Sequence, residues 1–306
     1  MGRDLRFIPE GGALVEVTCR TVQGRYLFRP CPEINEIIYG ILGYAQGLHQ
    51  IRICLVTVLS SHYHMLLDVD DARQLSKFMH FVNSRLSKEV NRLTGWSGPV
   101  FAERYTAKLV TNEEKAQVKR LRYILSNGTK EGLVEKPQDW PGVHSLHCLL
   151  DGVPMTGYLF NRTREHAARR RGETFERYAY ATEATVHLSP LPCWRHLSSD
   201  QYRGRVAALA GDVQREAAAA RKASGTEVLG PEAVTSTDPQ YRPKTLARSP
   251  APRFHAATRE AWFRLWDAYS QFVAAFRTAA AKLKAGDRAS PFPAGSFPPA
   301  LPYVSA

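Results

Sequence analysis

Along the first half of the chain, apolar positions alternate between the two-residue spacing of strands and the three-and-four spacing of helices. Residues 13–19 (ALVEVTC) are rich in strand formers, and a turn-like Gln23-Gly24 follows. In residues 33–46, Ile34, Ile37, Ile38, Ile41, Leu42 and Ala45 mark one face of an amphipathic helix. Ile51–Val58 and His64–Val69 read as two strands joined through Leu59-Ser60-Ser61, a hairpin. Asp70-Asp71 suit the positive end of a helix that runs over 72–93, with Leu75, Phe78, Met79, Val82 and Leu86 on one side. Gly95, Gly98 and Pro99 end it, and Phe101–Val110 predicts a further strand. Thr111 and Glu114 have the spacing of a capping box, opening a helix that lasts to about Asn127-Gly128. This order predicts an α+β layer, helices on a small antiparallel sheet, closing after Trp140-Pro141.

The second half changes character. Residues 162–177 are strongly basic and read as helical or extended, 200–222 as an Ala-rich helix, and 223–256 as an irregular, Pro-, Ser- and Thr-rich linker. Residues 258–284 carry Trp262, Leu265, Trp266, Tyr269, Phe272, Val273, Phe276 and Leu283 on one helical stripe, which needs a surface to pack on. The tail from Pro291 is Pro-rich. The organisation expected is a unit over 1–148, a basic helical extension over 149–222, a linker or loop over 223–256, and an amphipathic helix with its tail over 257–306.

Composition narrows the class. Of 306 residues, 44% are hydrophobic, enough for a packed core, while 41 Lys+Arg against 29 Asp+Glu leave a formal charge of +12. That excess suits a polyanion, because cations that neutralise phosphates release condensed counterions; a soluble protein with a basic surface has the same balance. Five scattered cysteines without a CxxC pair argue against structural zinc and against a disulfide framework. The start of the chain lacks the apolar core of a signal peptide, and the apolar run 51–59 is too short to span a bilayer. A cytoplasmic protein, free of the membrane, is expected.

Two clusters carry candidate chemistry. His62-Tyr63-His64 opens a strand, so the two imidazoles share a face and can share one divalent ion, while Tyr63 points away. Tyr123 and Asn127 are one helical turn apart, with Lys119, Arg120 and Arg122 just ahead of the tyrosine. A positive field there eases formation of a phenolate and attracts phosphate. Taken alone, each cluster has an ordinary structural explanation: a coincidental histidine pair, and a core tyrosine followed by a helix-ending Asn.

Read together, SSHYHMLLDVDD, FVNSRLSKEVNRLTG, GPVFAERYTAKLV and LRYILSNGTKEGLVEKPQDWP resemble, in order and spacing, the transposases related to REP-associated tyrosine transposases. The residues that carry the resemblance are His62, His64, Asn91-Arg92, Gly95, Phe101, Arg104-Tyr105, Tyr123-Ile124, Asn127, Gly132-Leu133-Val134 and Asp139-Trp140-Pro141, spanning about 13–145. The family's proline after the Asn is Gly128 here, its small residue before the glycine is Glu131, and Ser60-Ser61 replace a Pro-Asn.

The resemblance implies a ferredoxin-like or RRM-like sheet, the HUH endonuclease fold, with the histidine pair on a central strand. It implies Tyr123 as nucleophile, His62 and His64 as metal ligands, and Asn127 as a third ligand. The ion would be Mg²⁺ or Mn²⁺, and the partner single-stranded or hairpin DNA, bound by a monomer or homodimer that associates with the nucleoid when on DNA. The activity implied is nicking and strand transfer through a 5′-phosphotyrosine. Arg85, Lys88 and Arg92 on one helix, Arg104 and Lys108 on a strand, and Lys119 and Arg122 near the tyrosine are the candidate DNA contacts, with Tyr63, Tyr105 or Trp96 to stack on bases. A domesticated relative that binds structured DNA or RNA without cutting is the second reading, and a metal-dependent enzyme acting on RNA a third.

Overall fold

The computed structural model describes residues 5–244 and 252–299. Its centre is a four-stranded antiparallel sheet of β1 (Ala13–Arg20), β2 (Arg52–Leu59), β3 (His62–Val69) and β4 (Thr106–Val110), in the order β2-β3-β1-β4. Helix α1 (Pro32–His49) joins β1 to β2 and α2 (Ala72–Thr94) joins β3 to β4. This is the split βαβ arrangement, in which each crossover skips one strand position. The hairpin expected around Ser60-Ser61 is present.

Local chemistry sets the ends of these elements. The Asp71 carboxylate accepts from the backbone N–H groups of Arg73 and Gln74, capping α2, and Gly95 ends it in the left-handed region at φ 65°. The next helix, α3 (Glu114–Leu125), departs from expectation. Thr111 donates to Glu113 instead of capping with Glu114, and Glu113 accepts from Ala257 N–H and the Thr258 hydroxyl. The cap is surrendered to tie two distant helix starts together.

The sheet's two faces are used differently. Val15, Val17, Tyr63, Met65 and Leu67 join the apolar sides of α1 and α2 in the main core. Leu14 and Leu66 on the other face pack with Leu121, Ile124 and Leu125 of α3. Behind α3 lies α7 (Ser199–Ser224), whose Val206 and Ala210 join the same cluster. One further turn, α4 (Asn127–Lys130), follows α3 directly.

The later chain wraps this centre. After α5 (Leu146–Asp151), the segment expected to be a basic helical extension instead holds a hairpin of β5 (Met155–Phe160) and β6 (Ala181–Val186), with α6 (Arg162–Arg170) between its strands. It lies on α1 in backbone contact: a Cβ built on Gly40 would fall 2.2 Å from the Tyr158 carbonyl carbon, and one on Gly157 1.9 Å from Glu36 O. The expected linker contains α8 (Pro231–Ser236), and part of that linker lies outside the described residues. The last helix, α9 (Arg259–Lys284), packs partly on the core, with Tyr269 buried among Phe7 and Phe254. Both edges of the sheet are covered by isolated bridges, Thr57 to His144 and Ile53 to Leu188 at β2 and Val110 to His255 at β4. Among the described residues no helix is long and apolar enough to cross a membrane.

Candidate active site

Strand alternation puts His62 and His64 on the α3 side of β3, with ring centroids 5.2 Å apart. Tyr63 is turned into the opposite core, where its hydroxyl donates to Asn83 at 2.6 Å. It is 2% exposed and Tyr105 is 8% exposed, so neither presents a face to a base; Trp96 carries Arg25 on its ring at 4.6 Å.

The central acid is one the sequence did not disclose. Thr18 lies opposite His64 in the β1–β3 ladder, and Glu16, two residues earlier, points to the same face. Glu16 Oε1 is 3.1 Å from His64 Nδ1, and Thr18 Oγ1 is 3.0 Å from that nitrogen. A carboxylate only accepts, so the His64 proton sits on Nδ1 and its Nε2 keeps a lone pair. His62 Nδ1 is likewise engaged, 3.0 Å from Ser61 Oγ. Burial pulls the His62 pKa down to about 3, with the neighbouring His64 and the Arg20 charge adding to the effect, so this imidazole is neutral near pH 7.

Glu16 is 4% exposed and has two further partners. Arg120 donates from Nη2 to Oε1 at 3.1 Å, while its Nε approaches Oε2 at 2.9 Å off the hydrogen-bond axis. His255 Nε2 stands 2.7 Å from the same Oε2. Burial alone would raise the Glu16 pKa; the His255 and His64 contacts and the Arg120 charge outweigh it and hold the carboxyl well below its usual range. His255 is delivered by the backbone: its N–H donates to Leu109 O, and its carbonyl accepts from Thr111 N–H, each at 2.9 Å.

Tyr123 faces this group from α3. Its ring meets His64 edge-on at 5.9 Å between centroids. The Arg120 guanidinium lies over the tyrosine ring at 4.1 Å and Lys130 Nζ at 5.3 Å. Asn127, one turn on, is 5% exposed, and its Nδ2 is buried without a hydrogen-bond partner among the described residues. Gly128 packs under Trp140 and Val134: an added Cβ would sit 3.1 Å from Val134 Cγ2 and 3.5 Å from Trp140 Cε3. An alanine Cβ there would crowd Val134 and rest against the Trp140 indole, which is fixed by its donation to Val58 O at 2.9 Å.

The residues present fit a divalent ion in part. Two imidazoles with Nδ1 engaged offer nitrogen donors and the Asn127 side-chain carbonyl an oxygen, while the orphaned Nδ2 is a hydrogen-bond donor and not a ligand. Among the described residues, no group of three or more His, Cys, Asp and Glu is placed to hold an ion without further donors. Phosphate oxygens of a substrate would have to complete the shell.

The candidate DNA contacts scatter. Arg85, Lys88 and Arg92 sit on α2, behind the sheet from Tyr123, and Arg92 is engaged with Glu33 at 2.9 Å and Glu89 at 3.0 Å. Arg122 pairs with Glu216 of α7. Lys108 shares the register position of Glu16 but donates to the Pro252 carbonyl. Arg104 lines a hollow with Arg6 and Ser76, away from the histidines. Lys119 is exposed beside Arg120 in a cleft that borders the site. Glu16 and His255 were missed. The signal for Glu16 was a lone acid in ALVEVTC, two residues before Thr18; His255 gave none.

No protein-family model matches the sequence, and no curated protein matches it. Solved structures that do match include a REP-associated tyrosine transposase bound to a REP hairpin: 18% identity, TM-score 0.38, 48% of this chain and 84% of that one. Another is a Deinococcus radiodurans R1 chain provisionally assigned as a transposase: 13% identity, TM-score 0.28, 40% of this chain and 95% of that one. Similarity of that extent leaves the functional argument to this chain's own residues.

Proposed function

We propose that the chain is a metal-dependent, single-tyrosine nickase and strand-transferase of the HUH kind, acting on single-stranded DNA marked by a hairpin. The observation that carries this reading is the edge-on approach of Tyr123 to His64 at 5.9 Å, with a guanidinium on the tyrosine's face. A phenol, an imidazole pair and a cation then converge on one surface, which is what phosphodiester transfer to tyrosine requires.

Tyr123 Oη attacks the phosphorus and forms the P–Oη bond; the P–O3′ bond breaks, leaving a 5′-phosphotyrosine and a 3′-hydroxyl. The phenolic proton passes to solvent, and the departing 3′-oxygen takes one up. Covalent storage of the phosphodiester lets the reverse attack by another 3′-hydroxyl rejoin strands without ATP. Arg120 and Lys130 place positive charge where the phosphate would arrive. Glu16 holds His64 in the tautomer that leaves Nε2 open, as carboxylates do behind metal-bound histidines.

His62, His64 and the Asn127 carbonyl would hold the ion. When bound, it supplies charge neutralisation and alignment of the scissile phosphate. Imidazole donors favour Mn²⁺ over Mg²⁺, which prefers an all-oxygen shell.

The test is a denaturing gel of wild type and Tyr123→Phe incubated with labelled hairpin-bearing single strands and Mn²⁺ or Mg²⁺. A protein–DNA band that needs the metal and is lost in Tyr123→Phe is the expected result. Tight retention of the strand with no covalent band, across several hairpins, would replace this reading with a non-cutting binder of structured DNA or RNA.

A further inference from the structure

A cleft of about 430 Å³ opens beside the site, between α3 and the start of α9. Ala116, Lys119 and Arg120 form one wall; Phe254, His255, Arg259 and Trp262 belong to the other. Its lining has cations and no carboxylate. At the inner end Arg120 covers the Tyr123 ring.

At the outer end α9 displays aromatics that a merely packed helix would turn inward. The rings of Trp262 and Trp266, one turn apart, stack at 5.5 Å between centroids and 11° between planes. Trp266 is 38% exposed and Phe263 48%, whereas Tyr269 on the same helix is 8% exposed. Each exposed ring has a guanidinium against it: Arg253 at 5.4 Å from the Trp266 centroid and Arg259 at 5.3 Å from that of Phe263. The acids of this segment, Glu260 and Asp267, lie one turn before and one turn after Phe263, and each is engaged on the helix itself: Glu260 faces Arg264 and Asp267 accepts from Gln271. Exposed rings with arginines over them beside a cationic cleft are the elements of single-strand binding, in which bases stack with aromatic and guanidinium planes and cations follow the phosphates.

We propose that Phe263 and Trp266, continued inward by Trp262, form a stacking platform for two or three unpaired bases of a single-stranded polynucleotide, whose backbone then enters the cleft along Arg259, Lys119 and Arg120 toward Tyr123. The proposal rests on the strand-processing reading of the site and adds a binding surface from a part of the chain in which the sequence showed no motif. A second copy of the chain is the competing occupant, and the arginines against both exposed rings argue against it.

The experiment measures anisotropy of a labelled oligothymidylate without a hairpin, titrated with the full-length protein in the absence of metal. Because stacking contributes per base, Trp266→Ala combined with Phe263→Ala is expected to weaken binding at least tenfold. Trp266→Phe, which keeps a ring, retains most of the affinity. Leu48→Ala, an exposed apolar residue on α1, leaves it unchanged. Affinity within twofold of wild type in the double variant overturns the platform, as does an unchanged affinity accompanied by a dimer-to-monomer shift in sedimentation. The covalent-adduct gel is read separately: an adduct with unmoved affinity sinks only the platform, while weakened binding without any adduct in wild type sinks only the nickase.

Discussion

Glu16 and His64 meet across two neighbouring strands, Oε1 to Nδ1 at 3.1 Å, in a site where neither side chain reaches bulk water. The contact fixes which imidazole nitrogen is free. Replacing Glu16 by Gln keeps the volume and removes the charge. Mn²⁺ affinity is then expected to fall about ten- to a hundredfold, the usual effect of losing a carboxylate behind a ligating histidine. Calorimetric titration of Mn²⁺ into the variant checks this. A lowered Tm with Mn²⁺ affinity intact would mark Glu16 as structural only.

Asn127 provides a test that separates function from stability. Its buried Nδ2 has no partner among the described residues, and such a group costs about 1–3 kcal/mol in the folded state. Asn127→Ala removes that penalty while leaving a small cavity, so Tm changes by no more than a few degrees. The metal-dependent adduct should nonetheless drop at least tenfold on the denaturing gel. A large loss of stability with the adduct retained would contradict the assignment.

Gly157 tests the fit of the hairpin on α1. An alanine Cβ would lie 1.9 Å from Glu36 O and 2.7 Å from Gly40 N, both backbone atoms that cannot step aside singly. Gly157→Ala should cost about 3 kcal/mol or more by urea unfolding, at the upper end of overpacking. The site lies across the sheet, so adduct formation by the folded fraction should persist.

His144 predicts a pH dependence. Burial, with a minor contribution from His147, lowers its pKa to about 4, below the unfolded value near 6.5. The unfolded chain therefore takes the proton first as pH falls. The stabilising contribution of the neutral ring is complete above about pH 6.5 and declines toward pH 4, by at most about 3 kcal/mol. Denaturant midpoints from pH 7.5 to 4.5, compared with His144→Gln, should show a shallower acid slope in the variant. Parallel slopes would assign the loss to other groups.

What the sequence disclosed is what short-range periodicity encodes. The strands on either side of Ser60-Ser61, the α2 cap at Asp71 and its stop at Gly95 were all legible because each depends on residues within a turn of one another. The common face of His62 and His64 followed from alternation alone. The partners of that pair were hidden, because Glu16 reaches His64 only through the register of β1 on β3. His255 reaches Glu16 only through one bridge to β4. The β5–β6 hairpin escaped because its strands are separated by a charged segment that dominates the local pattern, and because the glycines that seat it lie partly on α1. The expected cap at Thr111 failed for the opposite reason: a local pairing lost to a distant one, Glu113 with Thr258.

The position of His255 has a consequence for how the molecule comes into being. A chain emerging from the ribosome presents His62, His64 and Tyr123 first, while His255, the second imidazole beside Glu16, follows well after Tyr123. A nascent or prematurely terminated chain ending before that residue would carry Tyr123 and the histidine pair without the finished charge balance around Glu16. The charge balance around Glu16 is thereby completed only once the segment carrying His255 has been made and has joined β4.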